Sequence, residues 1–182
     1  IGGGEESFGF MVGDAVRDKD AVGASLLVCE IAALAKASGS SLYQELLNLY
    51  VDFSCYKEHL ISLTKKGRDG LAEINQMMID LRENPVDEIN GQRVVCIDDY
   101  ENSTSTNRIT NEVEPIHIPK SNVLIYYLED GSKICARPSG TEPKIKFYFS
   151  VNTTLDKVEN FKSVETELDQ KIKNIIAAMH LN

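Results

Sequence analysis

Residues 137–143 read Arg-Pro-Ser-Gly-Thr-Glu-Pro, and they constrain this chain more than any other stretch. Arg137 carries a planar fork of donors that fits two oxygens of one phosphate. Ser139 and Thr141 add hydroxyls on the same side of a tight turn. Gly140 between them can adopt a positive φ and let the backbone approach a ligand. Because successive backbone N–H groups in such a turn also form an anion-binding nest, the stretch predicts a phosphate-binding loop rather than an ordinary Pro/Gly turn.

Strand patterns on both sides of this stretch predict a rigid support for the loop. Residues 122–128 and 132–137 surround Asp130 and Gly131, the strongest hairpin signal in the chain. Residues 145–151 alternate apolar and polar side chains, which predicts a strand with one buried face. We therefore expect the loop to join two neighbouring strands.

Net charge narrows the range of partners. The chain has 19 lysines and arginines against 28 aspartates and glutamates, a formal net charge of −9. This balance argues against nucleic acid, because that affinity is built largely on cationic contacts. The basic residues between 133 and 146, which include Lys144 and Lys146, form a local patch on an acidic protein. A local patch suits a small anion.

No apolar run approaches the roughly 18 residues of a membrane-spanning helix, so we expect no membrane partner. The cysteines are widely spaced in apolar stretches, and we interpret them as reduced core residues of a cytoplasmic protein. They are Cys29, Cys55, Cys96 and Cys135. The histidines are isolated from one another and predict no metal site.

Helical and strand periodicities give the order of the elements. Helices are predicted at residues 21–37, 41–50 and 70–83, with a last helical region after Thr153. The first helix has a broad apolar face, so we interpret it as largely buried. Further strands are predicted at residues 55–64 and 93–98, and residues 101–119 are interpreted as a polar connector.

This order predicts an α/β part followed by an α+β domain. Residues 1–53 are too short and too poor in strands for a complete α/β domain, and they resemble the C-terminal half of one. Residues 54–182 read strand, helix, strand, connector, hairpin, strand, helix. Such an order predicts an antiparallel sheet with helices on one face.

A second polar constellation lies near the start of the chain. Residues 4–7, Gly-Glu-Glu-Ser, suit a sugar, because a carboxylate accepts hydrogen bonds from two adjacent hydroxyls and a serine can donate and accept. Taken alone, a flexible acidic loop is an equally good interpretation. Residues 17–20, Arg-Asp-Lys-Asp, are taken alone more typical of a solvated turn.

Taken together, the stretches at 4–7, 17–20 and 137–143 resemble, in this order, those of the α-D-phosphohexomutases, the phosphoglucomutase/phosphomannomutase superfamily. The resemblance extends over essentially the whole chain and is to the C-terminal part of such an enzyme. Residues 6–10 and 144–147 look most like the longer phosphoglucomutase/phosphopentomutase branch. The absence of an initiator methionine leads us to expect a piece of a longer protein.

The resemblance implies two sets of ligand-binding residues, carried over by position. The set for the sugar is Glu5, Ser7 and Lys19. The set for the phosphate is Arg137, Ser139, Gly140 and Thr141. It also implies that residues 1–53 are the C-terminal half of the sugar-binding α/β domain, and that residues 54–182 form a phosphate-binding domain with a TATA-binding-protein-like fold.

The implied reaction interconverts a sugar 1-phosphate and a sugar 6-phosphate, or a pentose 1- and 5-phosphate, through a bisphosphate. The catalytic phosphoserine and the Mg²⁺ ligands would lie in N-terminal domains outside this chain, so we expect it to contain no catalytic residue and to be inactive alone. The alternative is a stand-alone, non-catalytic module that binds sugar phosphates or other anions. The sequence leaves the identity of the sugar and the oligomeric state open. We expect residues 1–53 either to pack against a second chain or to exchange amide hydrogens faster than residues 54–182.

Overall fold

The computed structural model describes residues 2–5, 9–65, 69–140 and 142–181. The chain divides into two units, residues 1–52 (unit 1) and residues 53–182 (unit 2). The division falls one residue before the predicted domain boundary, and the identity of the two domains stays a prediction.

Unit 1 contains a short hairpin and two helices. Strands β1 (Gly2–Gly4) and β2 (Phe10–Val12) pair antiparallel, so the first glycines belong to a strand. Helix α1 (Ala21–Ala37) has the predicted bounds, and α2 (Leu42–Phe53) runs past its predicted end. An aspartate caps α1: the Asp20 Oδ1 accepts hydrogen bonds from the amides of Val22 and Gly23 at 3.1 and 3.0 Å.

The prediction that α1 is largely buried is wrong. The exposed fractions of Val22, Leu26 and Leu34 are 83%, 71% and 65%, and Ala35 is the one residue of this helix that is buried. An apolar helix face is buried only against a partner surface, and the strand that α1 contacts is three residues long. Helix α2 likewise buries Leu47, whereas three of its other leucines are exposed: Leu42, Leu46 and Leu49.

No single helix among the described residues is long and apolar enough to cross a membrane. Helices α1 and α2 together reach the length and apolar composition of a membrane span, and they form a pair bent by 88°.

Unit 2 is built on one antiparallel sheet. Its strands are β3 (Cys55–Thr64), β4 (Glu88–Ile89), β5 (Gln92–Asp99), β6 (Thr104–Asn107), β7 (Val113–Pro115), β8 (Leu124–Leu128), β9 (Lys133–Pro138) and β10 (Lys144–Thr153). The strand order is β3-β10-β9-β8-β5-β6-β7, and β4 pairs with β5. The helices are α3 (Gly70–Glu83) and α4 (Phe161–Ala178), the latter preceded by a 3-10 turn at Val158–Asn160.

Both helices of unit 2 pack on one face of this sheet, where α3 contacts β9 and β10 and α4 contacts β3 and β10. The core lies between these layers and contains Ile74, Met78, Leu168, Ile175, Ile145, Phe147, Phe149 and Val151, each at most 1% exposed. Each fully buried side chain of this size contributes roughly 1.5–3 kcal/mol of transfer free energy. The predicted antiparallel sheet with helices on one face is confirmed.

Two local predictions in unit 2 are wrong. Residues 101–119 are not a connector, because β6 and β7 extend the sheet beyond β5. Their polar side chains lack the apolar alternation that marks a strand in sequence, and pairing with β5 supplies the order instead. Thr153 does not cap a helix, since it is the last residue of β10 and α4 begins at Phe161.

Candidate functional site

The predicted phosphate-binding loop joins the end of β9 to the start of β10, which are neighbouring strands near the β3 edge of the unit 2 sheet. The amide of Ser139 donates to the carbonyl of Lys144 at 2.8 Å, and the amide of Lys144 donates to the carbonyl of Glu142 at 2.8 Å. The amide of Glu142 in turn donates to the Ser139 Oγ at 3.3 Å. These bonds join the two described ends of the loop to each other.

The neighbouring strand β3 holds the other side of this loop. The amide of Lys65, which directly follows β3, donates to the carbonyl of Pro143 at 2.9 Å. Strand β10 pairs with β3 along its whole length and with β9 over six residue pairs. The loop therefore lies on a strand that is bonded on both sides, which is the rigid support the sequence predicted.

Basic side chains gather at this end of the sheet. Arg137 on β9 is directly opposite Lys146 on β10 in the antiparallel register. Arg137, Ser139, Lys144 and Lys146 line a concavity of about 270 Å³ together with Tyr148. Three cationic side chains and a hydroxyl around an open cavity are the donors that a phosphate requires.

Gly140 lies in this loop without the positive φ expected from the sequence. A Cβ atom built on it would meet nothing within 4 Å, so the protein itself leaves the space beside this residue open. The absence of a side chain here keeps the backbone accessible from the concavity. Ser139 is half-buried and Arg137 is exposed. Thr141, the remaining member of the predicted phosphate set, lies outside the described residues.

The predicted sugar-binding residues belong to unit 1. The Lys19 Nζ lies 3.6 Å from the Glu5 Oε1, so the structure brings these two residues together. Ser7 lies outside the described residues. The amide of Glu5 donates to the carbonyl of Gly9 at 2.8 Å, which closes the loop after β1.

Gly9 has a role that the sequence did not reveal. A Cβ atom at this position would lie 2.5 Å from the Lys19 Cδ and 2.9 Å from the Glu5 Oε2. The stem of Lys19 thus passes across the bare backbone of Gly9 to reach Glu5. A glycine two residues after the Gly-Glu-Glu-Ser stretch was the available signal.

The charged turn at residues 14–20 supports Lys19 on its other side. The backbone amide of Lys19 donates to the Asp18 Oδ1 at 2.7 Å. This bond, with the positive charge of the Lys19 ammonium, lowers the pKa of the Asp18 carboxyl. Arg17 is engaged locally by two bonds to Asp14 at 2.9 and 3.1 Å. Arg17 and Asp14 are both highly exposed, with side chains 80% and 73% accessible, so their pair is of the weak solvated kind.

Tyr148, for which no role was predicted, lies beside the phosphate loop. The Lys146 Nζ is 5.8 Å from the centroid of its ring, within the range of a cation–π contact. Lys146 and Tyr148 alternate with the buried Phe147 and Phe149, so both side chains are on the face opposite the helices. The alternation in sequence could have placed them there, but it does not reveal the strand that lies opposite.

Cys135 lies on the same face, across from Tyr148 in the register. Burial raises the pKa of its thiol to about 11, although Arg137 and Lys133 act in the opposite direction. A thiol with this pKa is protonated at neutral pH and is a poor nucleophile. Cys135 therefore fits a packing role next to the loop.

A polar cluster occupies the far part of this face. The Tyr127 hydroxyl donates to the Asp98 Oδ2 at 3.0 Å, and the Cys96 Sγ lies 3.4 Å from the Ser105 Oγ. Burial, with the Asp98 carboxylate beside it, raises the pKa of the Tyr127 hydroxyl.

Across residues 2–5, 9–65, 69–140 and 142–181, no group of three or more His, Cys, Asp or Glu side chains is placed to hold a metal ion.

Known proteins match both units of this chain. The family model described as phosphoglucomutase/phosphomannomutase, alpha/beta/alpha domain III, matches residues 1–50. The phosphoglucomutase of Staphylococcus haemolyticus is 36% identical over 164 residues, which are 90% of this chain and 29% of that protein. These matches support the assignment of the chain to the phosphohexomutase superfamily, as a C-terminal portion of such a protein.

The relatives at this level of identity are phosphoglucomutases. That of Staphylococcus aureus strain USA300 is 38% identical over 168 residues, which are 92% of this chain and 29% of the relative. That of Staphylococcus epidermidis strain ATCC 12228 is 39% identical over 152 residues, 84% of this chain and 28% of the relative. The chain thus spans less than a third of the length of these curated relatives.

A solved structure supports the fold. The open form of pp63/parafusin, a phosphoglucomutase from Paramecium, matches with a TM-score of 0.51 over 94% of this chain and 30% of that one. The sequences are 15% identical in this comparison, so the likeness concerns the fold alone.

Proposed function

We propose that this chain is the part of a phosphohexomutase that holds the substrate while other domains carry out phosphoryl transfer. The reaction interconverts a sugar 1-phosphate and a sugar 6-phosphate, or a pentose 1- and 5-phosphate, through a bisphosphate. The observation that carries the proposal is the concavity at the loop between β9 and β10. There Arg137, Ser139 and Lys146 surround a space that the protein leaves open.

In this proposal the loop at residues 137–141 binds the phosphate that is not being transferred. A bisphosphate that turns over in the site presents either of its ends to the same loop. Charge-assisted hydrogen bonds to a phosphate serve both orientations, because they depend on the anion and not on the sugar ring. Phosphoryl transfer depends mostly on positioning and charge neutralisation, and a fixed loop of this kind supplies the first of these.

Glu5, Ser7 and Lys19 would bind the sugar hydroxyls. The pair of Glu5 and Lys19 supports this role: the atoms are 3.6 Å apart and the side chains are 49% and 59% exposed. An exposed pair of this kind contributes at most about 1 kcal/mol. Sugar hydroxyls can therefore replace it at little cost, with the carboxylate accepting and the ammonium donating.

The phosphoserine donor and the Mg²⁺ ligands of the reaction would lie in other domains of a cytoplasmic parent polypeptide. When bound there, Mg²⁺ would neutralise charge on the transferring phosphoryl group. On this proposal the chain alone has no mutase activity. A coupled assay with an activating bisphosphate and Mg²⁺, on material free of host mutase, tests this point, and turnover above background would refute it.

A second candidate is a sugar-phosphate-binding module without catalysis. It is favoured by the anchoring of the loop within unit 2, where the bonds of its described residues join positions between Lys65 and Lys144. Assays of the full-length parent with a panel of sugar 1-phosphates separate the candidates. Mutase turnover supports the enzyme, whereas binding without turnover supports the module.

Titration calorimetry of the 182-residue chain with glucose 6-phosphate tests the loop assignment. Arg137→Ala should weaken binding by roughly 1.5–3 kcal/mol, the range for a hydrogen bond to a charged group. Lys133→Ala is the matched control, because it removes one positive charge from the same strand away from the concavity. Equal affinities of the wild type and Arg137→Ala would rule out this role of the loop.

A further inference from the structure

The two edges of the unit 2 sheet are built differently. Strand β7 forms one edge, and it is three residues long and ends in Pro115. A short strand that contains a proline resists further pairing, because proline has no N–H group to donate. Strand β3 forms the other edge over ten residues and contains neither proline nor glycine. The β3 edge therefore offers a long row of backbone groups to another strand.

Strand β3 is paired on one side. It pairs with β10 from Cys55 to Thr64 without a shift of register, and no strand among the described residues pairs with its other side. In an antiparallel strand the N–H and C=O groups of alternate residues point away from the partner strand. A bulge would twist such an edge away from further pairing, and the unbroken register shows that β3 has none.

Exposed apolar side chains lie along this edge. Tyr56 and Leu60 are on the open face, the face of the sheet that α3 and α4 do not cover, because Lys57 between them reaches α4. The exposed fractions of Tyr56 and Leu60 are 49% and 39%. A long edge strand with exposed apolar side chains is typical of a site that pairs with another chain.

The charged residues of β3 restrict this pairing without preventing it. The Lys57 Nζ lies 2.8 Å from the Asp169 Oδ1 and 3.4 Å from the Glu165 Oε1, so α4 neutralises the lysine. Glu58 is then the one charged side chain of β3 on the open face, and it is exposed. A single charge disfavours registers in which it meets a like charge and permits the others.

A second copy of β3 fits this edge best in one register. Because directly opposite side chains share a face, the twofold axis of an antiparallel pair of identical strands must pass through a residue. An axis at Glu58 would set two carboxylates against each other, and an axis at His59 would set Glu58 against Leu60. An axis at Ile61 would set Leu60 against Ser62. An axis at Leu60 sets Leu60 against its own copy and Glu58 against the Ser62 hydroxyl.

From these observations we propose that β3 is an interaction surface for a second copy of this chain. The two copies pair antiparallel through residues 56–64 about a twofold axis at Leu60, which joins the two unit 2 sheets edge to edge. Such a contact uses the same surface of both copies, so the assembly closes at two. The proposal does not depend on the proposed function, because neither set of predicted ligand residues takes part.

Sedimentation equilibrium of the 182-residue chain tests the pairing. The wild type should dimerise at concentrations between about 1 μM and 1 mM, the range of weak interfaces. Leu60→Lys should raise the dissociation constant about tenfold, because it replaces an apolar contact by two like charges across the axis. Val113→Lys is the matched control on the other edge, where Val113 is 59% exposed, and it should change this constant less than about twofold.

Disulfide capture tests the register. The variants carry Cys29→Ser, which removes the exposed thiol of α1. Leu60→Cys should then form a linked dimer with diamide as the oxidant, because Cα atoms of opposite residues lie about 4.5–5.5 Å apart. Glu58→Cys is the control on the same strand and face. It lies four residues from the position opposite its copy, about 14 Å at 3.4 Å per residue, and should not link.

The outcomes decide between this pairing and other surfaces. A wild type that stays monomeric over this concentration range overturns the proposal. A dimer that Leu60→Lys leaves unchanged also overturns it, since another surface, such as the apolar faces of α1 and α2, then holds the copies together. Failure of Leu60→Cys to link, or equal linkage of Glu58→Cys, overturns the register at Leu60.

Hydrogen exchange on the full-length parent tests a different occupant of the edge. Amides of β3 that point away from β10 should be protected in concentrated samples and exchange faster on dilution, because the pairing follows mass action. Amides of β7 serve as the internal control and should not respond to concentration. Strong protection of β3 in a monomeric parent would mean that another segment of that polypeptide covers the edge, and it would overturn the proposal.

Discussion

In unit 2 the helices α3 and α4 bury apolar side chains against the sheet, whereas in unit 1 most apolar side chains of α1 and α2 are exposed. Ile74 on α3 has no exposed surface, and Val22 on α1 has 83% of its surface exposed. The surroundings of these helices differ. An amphipathic helix is stabilised mainly by the surface that it covers, and β1 and β2 offer little surface.

The same contrast applies to the two candidate ligand sites. The loop at residues 137–143 is anchored on strands of a packed sheet, whereas the pair of Glu5 and Lys19 depends on a two-stranded hairpin. Exposed contiguous apolar patches of more than a few hundred Å² are rare on monomeric proteins. We therefore expect unit 1 to gain order from further polypeptide or from self-association, and unit 2 to be ordered by itself.

Hydrogen exchange should give the largest difference between the units. Amides of α1 and α2 should exchange through openings of low free energy, while those of β10 should approach the global stability, a gap of about 5 kcal/mol or more. Sedimentation on the same sample gives the oligomeric state. A strictly monomeric chain with α1 and β10 equally protected would show that unit 1 is self-sufficient.

Truncation of an apolar side chain should give the second largest difference between the units, measured as a change in the free energy of unfolding. Phe149 has no exposed surface, so Phe149→Ala should reduce the free energy of unfolding by about 3–5 kcal/mol. Val22→Ala, on the exposed face of α1, should change it by less than about 0.5 kcal/mol. Urea unfolding followed by circular dichroism measures both. A large effect of Val22→Ala would mean that the α1 face is buried in solution.

Alkaline pH should weaken unit 2 through Tyr126. Burial raises the pKa of this residue from 10 to about 12, and its hydroxyl donates to the carbonyl of Leu81 at 2.6 Å. Because the raised pKa favours the neutral form in the folded state, the contribution of Tyr126 to the free energy of unfolding is complete below pH 10. It is lost as the pH approaches 12. It amounts to about 2–3 kcal/mol.

Tyr126→Phe should therefore reduce the slope of stability against pH in the alkaline range, leaving the part that Tyr127 contributes. Tyr56→Phe is the control, since Tyr56 is 49% exposed. Urea titrations at a series of pH values decide the matter, and an unchanged slope for Tyr126→Phe would contradict the assignment.

Helix capping should give the smallest effect, and it allows a matched comparison. Asp20 accepts two backbone hydrogen bonds at the start of α1, whereas Asp69 precedes α3 without a side-chain cap bond. Asp20→Ala should weaken the first turn of α1 by about 1 kcal/mol. Asp69→Ala should weaken α3 less. Exchange of the amides in each first turn measures both changes, and an equal or larger effect at Asp69 would be evidence against the cap.

Local signals in the sequence predicted the bounds of several elements well. The helices at Ala21–Ala37 and Gly70–Glu83 and the strand at Cys55–Thr64 have the predicted ends. The hairpin at Asp130 and Gly131 forms where the turn signal predicted it. Caps, turn residues and prolines act over a few positions, so these features are encoded within the segment itself.

Sequence alone therefore determined most of the helices and the long strands, the family resemblance and the motif from Arg137 to Gly140, because each depends on residue types at short spacing. Only the tertiary structure decided which faces are buried and which side chains meet. It left Leu26 of α1 exposed, made strands β6 and β7 from polar residues, and set Lys146 against Arg137. The physical reason is that burial and cross-strand register depend on segments far apart in the chain, and no local pattern records the partner.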